Sequence, residues 1–235
     1  SINSNKDAVQ KNIYDFFSQC KVNLNPPSLW VDRAFSIEGI GKVITGTASK
    51  NMSFDKVFVN DQKTQLDIRE VESVGQKMSS LISSSSRIAI SLKNNKSDPK
   101  KGSLLTNQLL KEKTYLFIRP NIDTSLFSER GTLRIYIGTH TQTIKKLKNI
   151  KIDNKILVFV QLEKGIPILD FQRVLLHNLS KNTFSGGSIL HSTNNSYLIK
   201  KIMRDFRMKD NIIAKDIFTL IPENLLGSNN ENCKR

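Results

Sequence analysis

The stretch VDRAFSIEGIGKVITGT, residues 31–47, decides how this chain is read. It packs an Asp-Arg pair, an aromatic, two close glycines and a run of β-branched residues into one short span. Val, Ile, Thr and Phe suit a pleated, half-buried surface, and Gly39 and Gly41 stand between two such runs as turn residues, so the stretch predicts a β-hairpin. Gly39, Gly41 and Gly46 lack the spacing and the strand-turn-helix context of a dinucleotide-binding loop.

Working outward, the same punctuation recurs: short runs rich in Val, Ile, Phe and Thr, separated by clusters of Gly, Asn, Asp, Ser and Lys. It predicts strands over residues 30–37, 42–48, 56–59, 64–74, 87–92 and 103–106. Full closure leaves no sticky edge, so these short strands imply a closed barrel. A second set over 113–118, 132–137, 140–147, 155–162, 173–178 and 188–191 predicts a second barrel, with 109–112 as the junction. KGIPILDFQ, residues 164–172, reads as a surface loop between two of those strands because of its glycine and proline, and the serine run at 79–86 as a low-complexity loop.

Helical spacing appears at the two ends. Val9, Ile13, Phe16 and Phe17 mark a short helix over residues 7–20, which Pro26-Pro27 separates from the strands by an extended connector. After Ser192 the helical period returns with Tyr197, Ile199, Ile202, Met203 and Phe206, then Ile212, Ile213, Ile217 and Leu220. The predicted fold class is mainly β: two consecutive β-barrels with a short N-terminal helix and a C-terminal helical segment. The expected divisions are 1–28 (helix and linker), 29–110 (first barrel), 111–193 (second barrel) and 194–235 (helical extension and tail).

Charge is the strongest compositional signal. Thirty-six Lys+Arg against 21 Asp+Glu leave +15, a balance that attracts polyanions, nucleic acid first. A biased genome composition rich in Lys and Asn is the alternative origin of that charge. Within HTQTIKKLKNIKIDNK, residues 140–155, His140, Lys145, Lys146 and Lys148 are the candidate phosphate contacts to RNA.

The other signals exclude more than they assign. Cys20 and Cys233 are far apart and outside any metal-ligand spacing, which fits a reducing cytoplasm and neither a zinc site nor a disulfide framework. His140, His177 and His191 are scattered, so no metal site and no catalytic residue is expected. No apolar run approaches the ~18 residues of a membrane span, and the polar start is not a signal peptide.

Several stretches, in order, resemble a known family. WVDRAFSIEGIGKVITGTA (30–48) resembles the start of the second domain of translational GTPases, and its Asp-Arg-Ala-Phe version resembles selenocysteine-specific elongation factors. SRIAISL (86–92) and DPKKGSLL (98–105) are similar to the later part of that domain. LRIYIGTHTQTIKKL (133–147) and QRVLLHNLSKNTFSGGSILHS (172–192) resemble the third domain. SKNMSFDK (49–56) and SSSSRIAIS (83–91) depart from the family in lacking its usual glycines.

The resemblance implies a function. The barrels of such factors grip the acceptor end of an aminoacylated tRNA, and a small polar pocket distinguishes selenocysteine from serine. Carried over by position, Asp32, Arg33 and Arg87 line that pocket. A selenol is largely ionised at neutral pH, so permanently charged guanidiniums favour it over a neutral hydroxyl. The implied partners are selenocysteyl-tRNA and the ribosome, for a cytoplasmic monomer with no membrane role. GTP and magnesium are expected for the intact protein and no cofactor in this chain, which lacks G-x-x-x-x-G-K-[ST]. The chain is expected to be a GTPase fragment, inactive by itself. The alternative is a non-catalytic module, derived from a translational GTPase, that docks on RNA or the ribosome.

Overall fold

The computed structural model describes residues 26–49, 52–73, 75–78, 81–82, 86–93, 97–121, 130–152, 155–169, 171–197 and 199. The helix expected over residues 7–20 lies outside them. So does the C-terminal helical segment apart from its first residues: Ser196, Tyr197 and Ile199 are helical, and Ile199 N–H donates to the Asn195 carbonyl at 3.1 Å.

The first unit holds β1 (Ser28–Ile37), β2 (Gly41–Ala48), β3 (Met52–Ser53), β4 (Phe58–Val59), β5 (Thr64–Gln65), β6 (Ile68–Ser73), β7 (Gln76–Lys77), β8 (Leu81–Ile82), β9 (Arg87–Leu92) and β10 (Leu104–Thr106). The hairpin read from residues 31–47 is β1–β2, and Gly39 and Gly41 take the positive φ its turn requires, 77° and 92°.

The closed barrel expected here is not formed by the hydrogen bonds among the described residues. They run β5-β4-β10-β1-β2-β9-β6-β7, an eight-stranded sheet with two free ends, and β3 pairs β8 separately. The physical reason is that β3 and β8 spend their backbone hydrogen bonds on each other and bridge neither edge, so side chains cover the core instead. Met52, Phe54 and Val57, on and after β3, pack with Leu29, Val31, Ile44, Ile88 and Ile90 from the main sheet.

The second unit is a closed six-stranded barrel, β11-β14-β13-β12-β15-β16, in which β16 pairs back onto β11. Its strands are β11 (Glu112–Pro120), β12 (Leu133–Ile137), β13 (His140–Ile152), β14 (Lys155–Pro167), β15 (Arg173–Asn178) and β16 (Thr183–Thr193). Period-two alternation sends Leu133, Ile135 and Ile137 inward with Val174, Leu176, Val158 and Val160. The seam is tied by Asn194, whose side chain accepts from Thr114 N–H at 2.8 Å and donates to the Glu112 carbonyl at 2.6 Å.

The surface loop expected at KGIPILDFQ is a correction. β14 continues through Gly165 to Pro167, and Ile166, Ile168 and Leu169 are buried. Pro167 lies at the end of the strand, where a missing N–H is tolerated.

The two units meet along β1. Trp30 packs against the barrel core, and Thr139 Oγ1 donates to the Val31 carbonyl at 2.6 Å. Gly138, at φ 58°, lies so close that a Cβ there would overlap the Trp30 indole. Asn60 is fully buried, with its amide on the Leu104 carbonyl and Thr106 Oγ1 and its oxygen on Leu110 N–H, which pins the connector between sheet and barrel.

Candidate functional site

The candidate site is built on a β-bulge. Val31 pairs Gly46 and Arg33 pairs Thr45, so Asp32 is an extra residue without a partner in the β1–β2 ladder. A bulge re-aims side chains, and here it lets Asp32 reach the outer face of the sheet, where Thr45 Oγ1 donates to Asp32 Oδ1 at 2.7 Å. Thr45 also pairs Ala89, and Thr47 pairs Arg87. Directly paired residues share a face, which sets Arg33 and Arg87 on the same outer side, diagonal to each other across Thr45.

The three residues carried over from the family resemblance are therefore brought together. Arg87 forms a two-pronged ion pair with Asp32: Nη1 contacts Oδ2, and Nη2 lies 3.0 Å from Oδ1 and 3.4 Å from Thr45 Oγ1. The fork matches the carboxylate plane and fixes the guanidinium. Arg33 is exposed and makes no ion pair or hydrogen bond among the described residues. Two guanidiniums and one carboxylate leave the group with one positive charge, held mainly by Arg33. Such a group can receive a small anion or a polarised ester at the surface. The sequence reading missed Thr45, whose place opposite Arg33 is a matter of register.

The residues proposed for RNA contact are not one cluster. His140 starts β13 opposite Ile137, whereas Lys148 sits further along the strand opposite Phe159. At roughly 3.3 Å per residue that separates them by about 25 Å. Lys145 and Lys146 are exposed at a second bulge, between Ile144 and Lys146, and Lys148 is half-buried.

His140 instead belongs to the junction of sheet and barrel, 6.4 Å from the Trp30 ring centre. It borders a cavity of about 200 Å³ together with Trp30, Asp61, Lys100 and Pro167. Burial lowers its pKa below the ordinary 6.5, against the opposing pull of Asp61 and the Gly102 backbone. Among the described residues no group of three or more His, Cys, Asp or Glu could hold a metal ion, and no helix is long and apolar enough to cross a membrane.

No protein-family model matches the sequence, and no curated protein matches it. Solved structures do. A crystal structure of a bacterial selenocysteine-specific elongation factor, EF-Sec, superposes with a TM-score of 0.62 at 21% identity, over 88% of this chain and 35% of the other. The translation elongation factor SelB from Methanococcus maripaludis matches in its apo form with a TM-score of 0.59 at 16% identity, over 82% of this chain and 48% of that one. Its complex with the GTP analogue GppNHp gives 0.55 at 17% identity, over 82% and 49%. The chain thus spans between about a third and a half of the length of these proteins. These three structures are elongation factors of the SelB and EF-Sec type, and this chain has the fold of part of them.

Proposed function

We propose that this chain is the tRNA-binding portion of a selenocysteine-specific elongation factor, which in the intact protein delivers selenocysteyl-tRNA to the ribosome in a GTP-dependent manner. Residues 29–110 and 111–193 serve as its two domains, and Asp32, Arg33 and Arg87 read the aminoacyl group. One observation carries the reading: Arg33 and Arg87 share a face, with Asp32 and Thr45 holding Arg87 in place. A selenolate gains from the uncompensated charge of Arg33, while a serine hydroxyl, neutral at the same pH, gains far less. Lys145 and Lys146 supply phosphate contacts on the barrel.

The test compares selenocysteyl-tRNA with seryl-tRNA on the wild-type chain, Arg33→Ala and Arg87→Ala. Preference for the selenocysteyl ester that collapses in both variants supports the reading; preference that survives in both overturns it. Binding that depends on lysine charge but ignores the ester supports instead a module that docks on RNA or the ribosome, a reading favoured by the exposed lysines of β13.

A further inference from the structure

The outer face of the barrel carries a second surface, remote from the bulge on β1 and independent of the reading just proposed. Register lines up Thr143, Arg134, His177 and Phe184 as direct partners across β13, β12, β15 and β16. The inward alternates, Leu133, Ile135, Val174 and Leu176, fill the core. Phe184, at the end of this four-strand row, is 50% exposed, a large aromatic area for a strand side chain.

This aromatic is not loosely placed. Phe184 lies face to face on the His177 ring, with ring centres 3.9 Å apart and planes 17° from parallel. Tyr136 lies beside the imidazole, its ring centre 6.3 Å from that of His177 and the planes 29° apart. Both imidazole nitrogens are engaged: Nε2 with Asn182 Oδ1 at 3.2 Å and Nδ1 with the Tyr136 hydroxyl at 3.5 Å. Phe184 and His177 form a stacked pair braced at its edge by Tyr136, and Phe184 is its exposed end.

Charge decides what the open end takes. In sequence, β12, β13, β15 and β16 hold the basic residues Arg134, Lys145, Lys146, Lys148, Lys151 and Arg173 and no aspartate or glutamate. Arg134 stands in the row beside His177, and Arg173 lies on the same outward face of β15. Flat aromatic area on strands that carry basic residues and no carboxylates is complementary to an unpaired nucleobase and its phosphates. A duplex offers no such base, since its bases are already stacked on each other.

We propose that this face binds a single-stranded or looped-out segment of RNA, with one base continuing the His177–Phe184 stack and with Arg134 and Arg173 on the flanking phosphates.

The experiment titrates the full chain into a fluorescently labelled short oligoadenylate and into a blunt RNA duplex of equal length. Variants are Phe184→Ala, Phe184→Tyr and Arg134→Gln. The expected result is tighter binding of the single strand, a loss of about tenfold in Phe184→Ala, and retention in Phe184→Tyr. The salt slope is unchanged in Phe184→Ala, because stacking releases no counterions, and is smaller in Arg134→Gln. Equal affinity of Phe184→Ala and wild type, or preference for the duplex, overturns the proposal. So does concentration-dependent self-association that Phe184→Ala abolishes, which assigns the face to a second copy of the chain. Arg33→Ala leaves oligoadenylate binding intact, so failure of the ester-reading pocket and failure of this surface are told apart.

Discussion

The guanidinium of Arg87 on β9 reaches across β2 to the carboxylate of Asp32 on β1, with Nη2 3.0 Å from Oδ1. The pair spans three strands of one sheet face and leaves Arg33, its neighbour across Thr45, without a carboxylate partner among the described residues. Its side chains remain 52% and 23% exposed, so solvent screens the attraction. Arg87→Ala and Asp32→Ala are each expected to change unfolding free energy by about 1 kcal/mol or less. Chemical denaturation checks this, and a loss several times larger identifies the pair as structural.

Gly138→Ala is expected to disturb the junction between sheet and barrel. The added methyl overlaps the indole of Trp30, and alanine is strained at φ 58°. Overpacking of this kind costs about 1–3 kcal/mol. Trp30 is the only tryptophan in the chain, so its emission moves to longer wavelength as the indole is displaced into water. An unshifted spectrum with unchanged stability contradicts the close packing.

His140 makes the junction sensitive to acid. Burial lowers its folded-state pKa from the ordinary 6.5, so the unfolded chain takes up a proton more readily. The stabilisation from keeping this imidazole neutral is fully present above 6.5 and is lost as pH falls from there toward the lowered folded-state value. The difference in stability between wild type and His140→Gln is therefore expected to change over that window and to be flat above it. Thermal melts of both proteins across mildly acid buffers measure the difference.

Ile135→Ala tests the barrel core. Ile135 is fully buried at the centre of β12, among Leu176, Val160 and Leu116. The expected loss is about 2–5 kcal/mol, read from urea or guanidinium unfolding. A loss under about 1 kcal/mol means that this side chain does not sit in a packed interior.

Lys145 and Lys146 contribute through charge. Replacing both with alanine is expected to weaken RNA binding evenly across sequences. It also lowers the slope of log affinity against log salt by about one per phosphate contact removed. An unchanged slope removes these lysines from the interface.

Much of the strand framework was legible. Arg87–Leu92 and Arg173–Asn178 have the boundaries read from their apolar and β-branched runs, and Gly41–Ala48 differs by one residue. Burial alternates along Arg173–Asn178 although its residues do not, since Leu175 faces outward and Asn178 is buried. Other elements were obscured. The run predicted over 64–74 is broken into β5 and β6 where Leu66 turns its N–H to the Val57 carbonyl. In β14, Gly165 and Pro167 read as a turn although their apolar neighbours Ile166 and Ile168 enter the barrel core. Local punctuation and long-range burial conflict there, and burial prevails because it removes whole side chains from water.

By itself the sequence determined that this chain is built of short strands and that it is strongly basic, and its resemblance to a known family singled out Asp32, Arg33 and Arg87. The first two properties depend on composition and on neighbours a few residues apart. Only the tertiary structure decided that the first sheet stays open among the described residues, that the bulge at Asp32 brings an aspartate and an arginine 55 residues apart into contact, and that Phe184 stacks on His177 beside Tyr136. Those relationships depend on register and strand order. A shift of a single residue in either would send each side chain to the opposite face.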